Sequence, residues 1–196
     1  MVGGGCMSLP IESFKKDRKL RSYFPDVVAA LREIDFDEVA EIAAAIQLVN
    51  VPSKGLIWVI GNGGSQANAQ HLVLHLRQLG FPAIDLLADT AWLTAEANDT
   101  DYDHAVERVA YGLPTPDMVI AISGSGQSAN LQSAVDAAVE LNSEVIIVGL
   151  LGQVYDNAGG MLDVVSDHTV VVQSDDYGVV EDVHSSLIHF LHRALT

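Results

Sequence analysis

His71 and His75 stand four residues apart in a stretch of helical periodicity, so both leave one face about a turn apart. Near the C-terminus Glu181 and His189 stand eight residues apart, two turns along a similar side of a second helical stretch, with His184 and His192 nearby. Imidazole and carboxylate groups move protons near neutral pH and ligate divalent metals. On spacing alone, the histidine pair is a weak signal, because such pairs are commonly solvated or packed. Two glycine–serine segments carry a different chemistry: Gly61-Asn62-Gly63-Gly64-Ser65 and Ser123-Gly124-Ser125-Gly126-Gln127-Ser128. Glycine lets the backbone approach a ligand closely and reach positive φ. A helix start adds unpaired N–H groups and a positive dipole end, and serine adds neutral donors. Together they can hold a phosphate without Lys or Arg. Neither segment is a Walker loop, and the Rossmann spacing is absent.

Elements must exist to place these groups. Five short apolar runs, at 56–60, 83–87, 118–122, 145–149 and 169–172, are rich in Val, Ile or Leu without clean alternation. That is the pattern of strands covered on both faces. Helical stretches separate them, at 65–79, 92–109, 128–141 and a short one near 154–161; a last helix is expected over 180–195. Strands alternating with helices predict an α/β fold with right-handed crossovers and a mainly parallel sheet. Both glycine–serine segments then lie at carboxyl ends of strands, where open α/β sheets bind ligands. Ahead of the sheet, periodic apolar residues from Val27 to Ile46 predict one or two helices over 25–49, with Asp35 and Asp37 marking a break.

The chain of 196 residues carries 10 Lys and Arg against 26 Asp and Glu, a formal charge of −16. At 49% hydrophobic and 18% charged it is no disordered acidic tail. The acid excess, with no basic patch, argues against binding nucleic acid or an anionic membrane surface. Cys6 is the single cysteine, which excludes an intrachain disulfide and a thiolate cluster and reads as an incidental thiol. No apolar run has the length of a membrane span, and the first residues lack a signal-peptide pattern, so a cytoplasmic protein is expected. One domain over 1–196 is expected: a partly flexible segment at 1–24, a helical extension at 25–49 and an α/β core at 50–196.

Several motifs carry a family resemblance. Gly61-Asn62-Gly63-Gly64-Ser65 followed by Asn68-Ala69-Gln70-His71 resembles the first signature of sugar isomerase (SIS) domains, and 121–130 resembles the second. The blocks 93–99 and Glu181, His184 and His189 resemble two more, closest in pattern to the phosphoheptose isomerases within that family. The resemblance implies a three-layer, flavodoxin-like domain with a five-stranded parallel sheet. It implies a homotetramer with active sites between subunits and a phosphorylated sugar as substrate. Asn62, Gly63, Gly64, Ser65, Asp99, Ser123, Gly124, Ser125 and Ser128 are the implied substrate-binding residues. The resemblance also implies that His71, His75, Glu181 and His189 form one set, which some members use to hold zinc. In the family the positions of His75 and Glu181 carry Glu and Gln. Both replacements are competent ligands, and three imidazoles with one carboxylate suit Zn²⁺.

The implied reaction is an aldose–ketose isomerisation of sedoheptulose 7-phosphate through an enediolate. The familiar catalytic Glu is replaced by His75, so the base is open. His189 is the first candidate; His75, Glu181 and Asp99 remain. A second function class stays open, a catalytically inactive SIS-domain regulatory protein associated with the replication initiator. The retained His189 favours the enzyme. Arg77 reads as a solvated helix charge, Trp58 as core, Trp92 as core or interface, and His104 and His168 as surface histidines.

Overall fold

The computed structural model describes residues 11–49, 55–154 and 159–196. The Gly-rich start and Cys6 lie outside the described residues. The element order is α1 (Ile11–Lys16), α2 (Arg18–Arg32), α3 (Phe36–Val49), β1 (Ile57–Gly61), α4 (Gly63–Gln78), β2 (Ala83–Asp85), α5 (Thr90–Asp99), α6 (Tyr102–Tyr111), β3 (Met118–Ser123), α7 (Ala129–Leu141), β4 (Ile146–Gly152), α8 (Gly160–Val165), β5 (His168–Val172) and α9 (Tyr177–Ala194).

The five strands form one sheet in the order β2-β1-β3-β4-β5, and every neighbouring pair is parallel. Successive strand residues point to opposite faces. Ile57, Val59, Met118, Ile120 and Ile122 pack with α3, α4 and α9 on one side. Trp58, Ile60, Val119 and Ala121 pack with α6, α7 and α8 on the other. Three layers result, which is why the strand sequences are apolar throughout. Trp58 is fully buried, and its indole N–H donates to the Pro114 carbonyl at 3.1 Å.

The strand order reverses between β1 and β3, which are adjacent. Crossovers from these two strands run to opposite sides of the sheet, and a crevice opens at their carboxyl ends. The two glycine–serine segments are the loops that leave β1 and β3.

Some elements differ from expectation. The helix expected over 92–109 is two helices. Asp101 caps α6, accepting from the His104 N–H at 3.0 Å, and Asp89 caps α5 through the Trp92 N–H at 3.0 Å. Asn98 to Asp101 are residues whose short side chains compete for backbone groups, and they end one helix and start the next. The Trp92 ring covers Gly112, where a Cβ would lie 1.8 Å from it. β2 stops at Asp85, whose carboxylate turns the chain by accepting from the Leu87 N–H at 2.9 Å. The expected short helix near 154–161 lies partly outside the described residues, and α8 begins at Gly160.

The N-terminal helices break where Asp35 stands; its carboxylate accepts from the Asp37 N–H at 2.9 Å ahead of α3. α2 reaches back past Pro25 to Arg18. Asp17 caps it, and Tyr23 packs on the core while its hydroxyl donates to Asp182 of α9 at 2.8 Å. No described helix is long and apolar enough to cross a membrane.

Candidate functional site

At the crevice, α4 begins on Gly63, which adopts a φ of 55° open to glycine. Asn62 caps α4 by backbone position without a side-chain cap bond. Its amide instead exchanges two hydrogen bonds with Asn130 of α7, at 2.8 and 2.9 Å, and accepts from the Tyr102 hydroxyl at 2.9 Å. These bonds tie the starts of α4, α6 and α7 together. In the second loop, Ser123 Oγ accepts from the Gly126 N–H at 2.9 Å, and Ser125 Oγ from the Gln127 N–H at 3.3 Å. Gly126 has a φ of 66°, and an added Cβ would lie 1.7 Å from the Gly159 carbonyl oxygen. Ser128 precedes α7 and its hydroxyl makes no cap bond.

The loops enclose a cavity of about 90 Å³ lined by Asn62, Ser65, Ile122, Ser123, Gly124, Ser125, Ser128, Tyr177 and Glu181. No Lys or Arg is in that lining. The starts of α4 and α7 converge on it, so dipole ends and hydroxyls supply its positive character. The substrate-binding expectation therefore meets one cavity for Asn62, Ser65, Ser123, Gly124, Ser125 and Ser128, with Gly63 and Gly64 forming the first turn of α4 beside it. Asp99 does not line it; Asp99 lies on the exposed end of α5, and Tyr102 is the residue that α6 extends to Asn62.

The histidines form a second constellation, where α4 packs beside α9. His71 and His75 of α4 and His189 of α9 present ring nitrogens within 4.8 Å of one another. His71 Nε2 and His75 Nε2 are 2.9 Å apart. The His189 ring stands edge-on to His71, centroids 4.8 Å apart, and His192 lies against His75 at 4.4 Å. His75 Nδ1 and His192 Nδ1 are buried without a hydrogen-bond partner. Burial lowers the His71 and His75 pKa values, and the neighbouring imidazoles lower them further. Neutral imidazoles offer lone pairs.

The set fits a metal ion. Two nitrogens on a tetrahedral zinc with bonds near 2.05 Å lie about 3.3 Å apart, close to the His71–His75 separation. Three imidazoles leave a fourth position open.

Glu181 of the expected four-residue set lies apart from these three rings. Helical spacing gave Glu181 and His189 a common side of α9, but eight residues rise about 12 Å along the axis. Glu181 is therefore level with the start of α4. Its backbone carbonyl accepts from Asn68 Nδ2 at 2.9 Å, and its carboxyl lies over Gly64, where a Cβ would be 2.2 Å from Oε2. Burial, then the neighbouring Asp182, raises the Glu181 pKa.

Other residues gain roles that spacing did not reveal. His184 is fully buried, and its Nε2–H donates to the Leu151 carbonyl at 3.0 Å. It anchors α9 to β4; an alternation of apolar neighbours on α9 was the available signal. Asp176 caps α9, accepting from the Gly178 and Val179 N–H groups at 2.8 and 3.3 Å. Arg77 is exposed yet not merely solvated, since its Nε–H donates to the Ala83 carbonyl at 2.6 Å and fixes the end of α4 to β2. His104 is a surface residue paired with Asp101, and His168 is half-buried with its Nδ1 3.6 Å from Glu41.

A parallel open sheet with a serine-lined cavity at its switch point defines an open α/β domain of the ligand-binding type. The chain belongs to the SIS-domain family, whose model matches residues 22–150. It is 38% identical over 160 residues to the phosphoheptose isomerase of Geotalea daltonii, covering 77% of this chain and 80% of that one. It is 36% identical over 144 residues to phosphoheptose isomerase 1 of Campylobacter jejuni, covering 70% and 74%. The fold superimposes on a phosphoheptose isomerase from Neisseria gonorrhoeae with a TM-score of 0.80, at 28% identity over 90% of this chain and 96% of the other. The corresponding enzyme of Francisella tularensis gives 0.79 at 25% identity over 95% and 98%.

Proposed function

We propose that this protein is a phosphosugar aldose–ketose isomerase acting on sedoheptulose 7-phosphate. The observation that carries the reading is the pairing of a cation-free serine cradle with three convergent imidazoles on adjoining helices. Relatives at 30–38% identity named as phosphoheptose isomerases support the substrate class.

The cradle binds the phosphate through the hydroxyls of Ser65, Ser123, Ser125 and Ser128 and the first N–H groups of α4. His71, His75 and His189 would hold Zn²⁺. When bound, zinc supplies Lewis-acid polarisation of the substrate's carbonyl and hydroxyl oxygens. His189 is the exposed member of the set, so its imidazole is the one open to substrate. That imidazole takes the proton from the carbon beside the carbonyl and returns it to the neighbouring carbon, the enediolate lying between. His75, in place of the familiar Glu, acts as a ligand and not as the base. Asn62, held by Asn130 and Tyr102, orients the sugar next to the cradle.

The active assembly is a homotetramer in the cytoplasm, with sites completed between subunits. Phe14, Phe24, Leu48 and Leu74 are exposed in the single chain and suit such contacts.

The test is zinc content after purification without added metal, followed by turnover of sedoheptulose 7-phosphate. His71→Ala should remove both. His189→Ala should keep zinc at saturating metal while turnover falls at least about a hundredfold. Full turnover in His189→Ala, or in metal-free protein, would refute these assignments. Phosphosugar binding with neither metal nor turnover would move the protein to the regulatory class.

A further inference from the structure

We propose that Gln66 is a positioning residue for the serine cradle. Its side chain, held by Asp85 at the end of β2, closes the loop after β1 and sets Ser65 and the first N–H groups of α4 for an anion. The inference rests on reading the cradle as the phosphate seat.

The need for such a residue comes from the sheet. Along a parallel strand, alternate residues bond to the same neighbour. Ile57 donates to the Pro82 carbonyl at 2.8 Å, and Val59 accepts from the Leu86 N–H at 3.0 Å. Gly61, two residues further on, therefore also faces β2. But β2 ends at Asp85, level with Val59, and the chain turns away there. The N–H of the buried Gly61 is left beyond the last rung, and a buried donor must find an acceptor. Gln66 Oε1 supplies it, accepting at 3.1 Å.

The backbone N–H of Gln66 in turn donates to the Asn62 carbonyl at 3.2 Å, in the first turn of α4. Two bonds from one residue thus bracket Asn62-Gly63-Gly64-Ser65, the whole of the first cradle loop. The bracket is tight: a Cβ on Gly61 would lie 2.5 Å from the backbone carbon and oxygen of Ser65. Ser65, buried and lining the cavity, is seated directly on Gly61.

Asp85 decides which way the Gln66 amide faces. Gln66 Nε2 donates to Asp85 Oδ1 at 2.6 Å. The Leu87 N–H donates to the same oxygen at 2.9 Å, and Gln70 Nε2 donates to Oδ2 at 3.1 Å. A carboxylate offers only acceptors and a backbone N–H only a donor, so one orientation of the amide satisfies both partners. Gln70 lies one turn further along, so Asp85 grips α4 at two points. Neither Gln66 nor Asp85 lines the cavity, and their effect on an anion passes through the loop.

Sulfate, titrated calorimetrically, probes the cradle, and turnover of sedoheptulose 7-phosphate separates KM from kcat. Gln66→Met keeps the side-chain length and removes both side-chain bonds. It should weaken sulfate binding and raise KM, each about tenfold, with kcat changed less than about threefold and zinc content unchanged. Gln66→Glu is nearly isosteric but has no N–H for Asp85, and should lose at least as much. Asp85→Asn keeps an Oδ1 acceptor for Gln66 and Leu87. It should stay within about threefold of the unmodified protein, whereas Asp85→Ala should lose about tenfold in sulfate affinity. The two Asp85 variants leave the α4 sequence intact and decide the matter if the Gln66 variants fail to fold. A lowered melting temperature with unchanged sulfate affinity and KM, in Gln66→Met and in Asp85→Ala, makes the pair merely structural and overturns the inference while leaving the cradle. Equal losses in Asp85→Asn and Asp85→Ala also overturn it. Absence of sulfate binding by the unmodified protein, or binding that Ser125→Ala leaves unchanged, overturns the cradle reading and this inference together.

Discussion

His184 makes acid stability a quantitative test of how α9 is held. The imidazole is fully buried, with its Nε2–H bonded to the Leu151 carbonyl and its Nδ1 without a partner. A second proton on Nδ1 would place a charged N–H in an apolar setting with no acceptor. Burial accordingly lowers its pKa to about 4, against 6.5 for an ordinary imidazole. The folded state refuses a proton that the unfolded state accepts. The stabilisation is complete above pH 6.5 and is lost as pH falls from there towards 4. The full linkage is worth roughly 3 kcal/mol, and about 2 kcal/mol of it is gone by pH 5. Urea unfolding at pH 7.5 and pH 5.0, on the unmodified protein and on His184→Gln, isolates this contribution. Gln keeps an N–H for the Leu151 carbonyl and does not titrate, and the many carboxylates contribute equally to both proteins. The unmodified protein should lose about 2 kcal/mol more than the variant between the two pH values. Parallel pH dependence, or an NMR titration of His184 near 6.5 in the folded protein, would refute the argument.

Three further outcomes follow from the loops and the helix ends. Gly126→Ala combines a φ of 66° with a Cβ 1.7 Å from a backbone oxygen, so it should cost at least about 2 kcal/mol in unfolding and weaken sulfate binding; an unchanged melting temperature would contradict the loop geometry. Ser123→Ala removes the acceptor of the Gly126 N–H, and about 1 kcal/mol of stability with roughly tenfold of sulfate affinity should go with it, read by denaturation and calorimetry. Arg77→Met should lose about 1 kcal/mol through its bond to Ala83 while leaving KM for sedoheptulose 7-phosphate unchanged; a raised KM would contradict a purely structural role.

The sheet was legible because its strands are covered on both faces and therefore apolar at every position, while helical periodicity marks what lies between. The two cradle loops were legible because glycine and serine at a strand-to-helix junction have a short list of physical uses. The division of 92–109 was missed because Asp101 reads equally as a polar helix residue until its carboxylate is seen capping α6. Asp99 lies on the exposed end of α5, outside the serine-lined cavity, while Tyr102 bonds Asn62. Nothing in local pattern separates two polar residues three positions apart at a helix junction.

By itself, the sequence determined which residues share a helix face, since 3.6 residues per turn is a local property of the backbone. His71 with His75, and Glu181 with His189, follow from that alone. Only the tertiary structure decided how far α9 is shifted along α4, because that shift depends on side-chain packing and on bonds such as Asn68 to Glu181. The shift sets His71 and His75 level with His189 and His192, and sets Glu181 level with Gly64. A helix rises 1.5 Å per residue whatever its sequence, so two residues on one face need not reach one ion. Packing thus set the carboxylate beside the serine-lined cavity and left the imidazoles together.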